Sequence, residues 1–204
     1  SFETGRLATL ADGAVYATHG ETSVLATAVA DFKGLTPGTD FLPLQVDYVE
    51  KTFASGRIPE TFARREMGVT DKEILGSRII DRTLRPLFPP GYFAETQVVA
   101  TVMSYDDECD AEVLAVNAAS AALCLSSVPF TRPAGAVRVA WVDGEPVLNP
   151  PSSVLEASPL NLLYAAAGDK CVMIEVGARE LPERDLVRAM RFAHAHAMEV
   201  VEAQ

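Results

Sequence analysis

Cysteine is scarce in this chain: three in 204 residues, Cys109, Cys124 and Cys171, with no Cys-x-x-Cys pair. That excludes a disulfide framework and fits buried thiols in a reducing compartment. Histidine also numbers only three. His19 lies at a strand end, and His194 and His196 are two apart on a helix and share no face, so no metal site is expected. Neither G-x-G-x-x-G nor G-x-x-x-x-G-K-[ST] occurs, which excludes the usual dinucleotide and P-loop phosphate cradles. No run of eighteen apolar residues exists, so no membrane insertion is expected. Positive charge is in deficit, with 17 Lys and Arg against 28 Asp and Glu, a net of -11. A wholly basic nucleic-acid coat is excluded, but a single basic track on one groove is not.

What is present supports a folded core: 49% of residues are hydrophobic. Residues 3–9 read as a short strand. "AVYATHG" and "TSVLATAVA" read as a hairpin around Gly20-Glu21, and "KGLTPGTD" as a loop. "FLPLQVDYVE" reads as a third strand of an antiparallel sheet. Thr70 with Glu73 has the spacing of a capping box, and Ile74, Leu75, Ile79, Ile80 and Leu84 repeat at helical spacing up to Pro86, so a helix is expected over 71–85. "TQVVATVMSY" is a strand. Asp110 is a plausible N-cap for the alanine-rich helix "AEVLAVNAASAALCLSS". Asp143-Gly144 turns one hairpin, a second pair surrounds Asp169, and a last helix runs from Pro182 to about Val201. Strand sets alternating with helices predict an α+β domain with helices on one sheet face.

The unusual stretch is "GRIPETFARREMG", Gly56 to Gly68, in a segment without stable period. Arg64 and Arg65 follow Phe62 there. Guanidinium forks suit phosphates and an exposed ring suits a base, so one reading is a clamp on single-stranded RNA. The other is an arginine pair bridging acidic neighbours at a subunit contact. Arg57 either presents its side chain from a rigid turn or bonds local carbonyls. Arg78, Arg82 and Arg85 recur near helical spacing around Asp81, as a solvated face or as a phosphate path. Asp106, Asp107, Glu108 and Asp110 lack the spacing of a calcium loop.

"GETSVLATAV", "PLQVDY", "GRIP", "RRE", "SRIIDRTLRPLFP" and "GAVRVAWVDGEPVLNP" together resemble the first RNase PH-like domain of the polynucleotide phosphorylase family along nearly the whole chain. "LADG" and "DKEIL" resemble the mitochondrial form, which places the protein in the mitochondrial matrix or intermembrane space ahead of plastid or cytosol. The resemblance implies a fold like ribosomal protein S5 domain 2. It implies that residues 1–204 are one domain of a longer polypeptide, with a second RNase PH-like domain, KH and S1 modules beyond Gln204. It implies a homotrimeric ring that degrades RNA from the 3' end with inorganic phosphate and runs reversibly as a polymerase. Phosphate and Mg2+ would bind mainly in the second domain, and none is expected here. Where the family's catalytic domain has a serine run, this chain has Glu112, Val113 and Leu114; where it has Asp-x-Lys, this chain has Asn161, Leu162 and Leu163. No catalytic residue is therefore expected. Arg57, Phe62, Arg64, Arg65, Arg82 and Arg85 are the RNA-binding candidates. The alternative is an inactive exosome-like ring subunit that binds RNA or acts as a scaffold.

Overall fold

The computed structural model describes residues 1–33, 38–130 and 132–204. The expected loop "KGLTPGTD" has its central residues 34–37 outside that set. The strands are β1 (Phe2–Glu3), β2 (Gly13–His19), β3 (Thr22–Asp31), β4 (Leu44–Val49), β5 (Glu95–Ser104), β6 (Ala134–Val142), β7 (Glu145–Leu148), β8 (Leu160–Ala167) and β9 (Lys170–Ala178). The helices are α1 (Asp71–Leu84), α2 (Ala111–Leu125), α3 (Ser152–Ala157) and α4 (Glu183–Ala203). One sheet has the order β1-β2-β3-β5-β4 and the other β7-β6-β8-β9.

Alternation along the strands decides the layering. On β8, Leu163, Ala165 and Ala167 join a core shared with the first sheet, α1 and α2. Leu162, Tyr164 and Ala166 point the other way, onto Ala189, Ala193 and Ala197 of α4. The centre of the second sheet, β6 and β8, is thus buried on both faces. The layers run sheet, α1 with α2, sheet, α4. The α+β class holds, but the helices lie on both faces of the second sheet, contrary to the one-face expectation. The reason is visible in α2: from Ala111 to Leu123 only Glu112 escapes burial. A helix apolar all round must be covered all round, and two sheets cover it.

Two strand expectations need correction. The predicted strand over 3–9 shrinks to Phe2–Glu3, and the chain then leaves the sheet through Gly5 and the left-handed Ala8. The "PLQVDY" strand does not extend an antiparallel meander. β4 pairs in parallel with β5, from Leu44 opposite Thr96 to Val49 opposite Thr101, and β5 separates it from β3. A parallel pair demands a long crossover, and here that crossover is the arginine segment plus α1. The unusual loop is therefore built into the topology. α3 was not legible: six residues with no side-chain cap, led by Pro151.

Small residues set the layer spacing. A Cβ on Gly135 of β6 would stand 2.2 Å from the Ala197 carbonyl oxygen of α4. Backbone, not a flexible side chain, blocks that position. Gly135→Ala is expected to cost about 2 kcal/mol, as an overpacked core does. Urea unfolding measures it, and an unchanged midpoint would mean that α4 can lift off without loss.

Candidate nucleic-acid interface

The arginine loop starts in a single 3-10 turn, Thr52–Ser55, that ends on left-handed Gly56. Beyond it Phe62 is fully exposed at 107%. Arg57, Arg64 and Arg65 are exposed, and among the described residues their guanidinium groups meet no hydrogen-bond or ion-pair partner. The option that Arg57 bonds local carbonyls is not realised; only its backbone N–H donates, to the Thr52 carbonyl at 3.1 Å. Arg64 has φ 50°, a left-handed setting that a side chain resists. Thr61 holds it there. Its carbonyl accepts from the Arg64 N–H at 2.8 Å, and its hydroxyl accepts from the Arg65 N–H at 3.1 Å and donates to the Arg65 carbonyl at 2.7 Å. The turn presents two adjacent forks to solvent.

Two glutamates fasten this loop. Glu66 accepts from the backbone N–H and the hydroxyl of Thr52, and these bonds hold its carboxyl below the ordinary range. Glu73 on α1 is nearly sealed, 1% exposed. Its Oε1 accepts from the Glu50 N–H at 3.1 Å and Lys51 Nζ at 2.8 Å. Its Oε2 accepts from the Thr70 N–H at 2.8 Å and the Thr70 hydroxyl at 3.1 Å. Burial alone would raise its pKa, but the bonds from Lys51, Thr70 and Glu50 outweigh burial and bring it to about 2. One carboxylate thus pins the residues that enter and leave the loop. The sequence showed Glu73 only as a capping-box member; its reach back to Glu50 and Lys51 is long-range and had no local signal.

The α1 arginines divide. Arg85 ion-pairs with Asp81 at 2.6 Å and donates to the Leu42 and Leu44 carbonyls at 3.0 and 3.1 Å. It ties the end of α1 to the start of β4, and its pKa is raised by the Asp81 bond. Arg82 is exposed and, among the described residues, without such partners. The structure brings Arg57, Phe62, Arg64 and Arg65 into one loop and leaves Arg82 and Arg85 at the far end of α1.

The start of α2 is closed to a free anion. Asp110 Oδ1 accepts from the N–H groups of Glu112 and Val113 at 2.8 and 3.2 Å, filling the place a phosphate would take at a helix N-terminus. Its other oxygen ion-pairs with Arg138 Nε. Arg138 Nη2 donates to Glu112 Oε2 at 2.9 Å and Nη1 to Asn161 Oδ1 at 3.0 Å. Burial and the neighbouring Asp110 push the Glu112 carboxyl up, against the pull of Arg138. Leu163 is buried beside them. Of the positions that differ from the family's catalytic pattern, Glu112 and Asn161 thus join Asp110 and Arg138 in one lock of ion pairs and hydrogen bonds. Its keystone, Arg138, had one sequence signal: a single charge inside the apolar strand "AGAVRVAWV". Among the described residues no group of three or more His, Cys, Asp or Glu is placed to hold a metal ion. His194 Nδ1 meets the Tyr164 hydroxyl at 3.1 Å, joining α4 to β8.

This layering defines a class, the RNase PH-like α+β fold. It superposes on a crystal structure of rice Rrp46 with TM-score 0.77 at 17% identity, over 98% of this chain and 89% of that one. It superposes on the archaeal exosome core with TM-score 0.73 at 16% identity, over 100% and 87% of the two chains. The chain belongs to the 3' exoribonuclease family: the model of that family's domain 1 matches residues 1–129 and that of its domain 2 matches residues 132–196. The boundary falls between α2 and β6, where one sheet gives way to the other. Polyribonucleotide nucleotidyltransferases of Methylacidiphilum infernorum and Zymomonas mobilis are 51% and 52% identical over 203 residues, 100% of this chain. The chain spans 29% and 27% of the length of these two relatives. Both are bacterial, so the likeness to a mitochondrial form has no counterpart in them.

Proposed function

We propose that this domain is a non-catalytic RNA-holding and assembly-forming unit of a 3' exoribonuclease ring, the role of an exosome-like ring subunit. The loop carries this reading: three guanidinium groups without a partner among the described residues and one bare ring, held out by a fastened backbone in a protein of charge -11. An acidic chain that leaves cations unpaired on one fixed loop has built a local field for an anion. Arg57, Arg64 and Arg65 would take phosphates and Phe62 a base of single-stranded RNA. Arg82, at the far end of α1, would take a further phosphate of the strand, while Arg85 is committed to Asp81 and the Leu42 and Leu44 carbonyls. The Asp110–Arg138–Glu112 lock argues against phosphorolysis within this domain, because an attacking phosphate needs donors that here are already satisfied.

The high identity to polyribonucleotide nucleotidyltransferases favours a larger setting. In it the domain serves a longer polypeptide whose second RNase PH-like domain binds phosphate and Mg2+, releases nucleoside diphosphates and closes a homotrimer.

Replacing Arg64 and Arg65 together by Ala in the full-length protein is expected to weaken single-stranded RNA binding. The slope of log K against log salt should flatten by about 1.4, two phosphates at about 0.7 each. Fluorescence anisotropy over a salt series measures both. Unchanged affinity and slope, with an altered oligomeric state, would assign the pair to a subunit contact instead.

A further inference from the structure

We infer that the cleft between α1 and the edge strand β9 is a nucleobase pocket that selects guanine. The cleft encloses about 300 Å³, the lower end of the range for small-ligand sites. Its walls are apolar: Ile79 and Leu75 on α1, the latter 55% exposed, with Leu163 of β8 beneath them. Its polar groups come from two adjacent strands. Glu175 pairs with Leu163 in register and Gly177 with Asn161. Partners in a pair share a sheet face, and Leu163 faces the core beneath α1, so Glu175 and Asn161 face the cleft as diagonal neighbours.

Three observations point to a planar ligand. Glu175 has no hydrogen bond or ion pair among the described residues. The Asn161 carbonyl accepts from Arg138, which leaves its amide N–H groups to donate. Gly177 has no fold reason to be glycine: its backbone is not left-handed, and an added Cβ would meet nothing nearer than Asn161 Cβ at 4.0 Å. A glycine inside a strand often marks close approach of a ligand, and here it clears the floor.

The polar groups choose the base. A carboxylate accepts two adjacent donors. Guanine offers N1–H and N2–H side by side, with O6 next to them for the Asn161 amide. Adenine and cytosine would turn a ring-nitrogen acceptor toward the carboxylate, and uracil flanks its single N–H with two carbonyls. The Arg138 guanidinium at the back is neutralised by Asp110 and Glu112, so the floor repels phosphate and reads the base edge alone. The base could come from a free nucleoside or from an RNA strand. The strand source rests on the RNA-holding reading above; the nucleoside source does not.

The test uses the full-length protein with guanosine, adenosine, and a uridine nonamer with or without one central guanosine, followed by calorimetry. Guanosine should bind at least about tenfold tighter than adenosine, the worth of one bidentate pair. Gly177→Val should abolish that binding while leaving the circular dichroism unchanged, since the position has room. Glu175→Gln should remove the preference for guanosine. Arg64→Ala with Arg65→Ala should leave guanosine binding intact, which separates this pocket from the loop. Tighter binding of the guanosine-containing nonamer would name RNA as the source; binding of guanosine alone would name the free nucleoside. No guanosine binding at millimolar concentration, or equal binding to the Gly177→Val variant, would overturn the inference. So would a change of oligomeric state in that variant without any nucleoside binding, which would make the cleft a protein contact.

Discussion

Glu73→Ala is expected to destabilise the protein by about 3 kcal/mol. The carboxylate lowered from 4.5 to about 2 is worth roughly that much by linkage. Its loss strands the Lys51 ammonium and the N–H groups of Glu50 and Thr70, which among the described residues met only this acceptor. The capping box of α1 goes with it. The effect carries a pH signature. Because the folded pKa lies below the unfolded one, the stabilisation is fully present above about pH 4.5 and fades as pH falls toward 2. Urea unfolding at pH 7 should therefore separate the two proteins, the gap should fall to less than about half at pH 2.5 to 3, and it should close only below the folded pKa. A gap independent of pH would mean that packing, not charge, is what Glu73 supplies. The same variant should weaken RNA binding without touching an RNA-facing residue, because the loop that carries Arg57, Arg64 and Arg65 loses both of its tethers on α1. Glu66 alone would still hold Thr52.

Local signals were readable and long-range ones were not. Turns with Gly and Asp, the capping box at Thr70 and the Asp110 cap lie within a few residues of each other, and the structure keeps them all. The parallel pairing of β4 with β5 was hidden, because alternating apolar residues look alike whichever neighbour they take. The two-sided burial of β6 and β8 was hidden for a related reason: near-continuous apolar strands such as "LNLLYAAA" announce burial but not by what. At the candidate site the arginines stood out by composition. Their freedom from partners did not, since Arg85 reads like Arg82 in sequence and only the fold brings the Leu42 and Leu44 carbonyls to it. Glu73 and Arg138 share the same difficulty. Each gathers partners from segments 22 to 28 residues away or more distant pairs of strands, and a single charged letter gives no direction.

Arg138→Ala should be the most damaging single change, about 3–5 kcal/mol. The guanidinium is 11% exposed and its partners Asp110 and Glu112 are each 18% exposed. Removing it leaves two carboxylates close together in a half-dry cavity, and breaking a buried pair from one side costs that much. The pair is not thereby essential. Replacing both sides with apolar groups, Arg138→Met with Glu112→Leu, removes the stranded Glu112 charge, while Asp110 keeps its backbone bonds at the start of α2. Most of the lost stability should return, so the two substitutions will be strongly non-additive in urea unfolding. If the double variant is as unstable as Arg138→Ala, then Asp110 or Asn161 depends on Arg138 more than Glu112 does. The same protein decides the role of the lock. A full-length double variant that folds should keep its rate of phosphorolysis, since the Arg138 donors it removes were already taken by Asp110, Glu112 and Asn161. A tenfold loss of rate in a folded double variant would move Arg138 from the frame of this domain into the catalytic machinery.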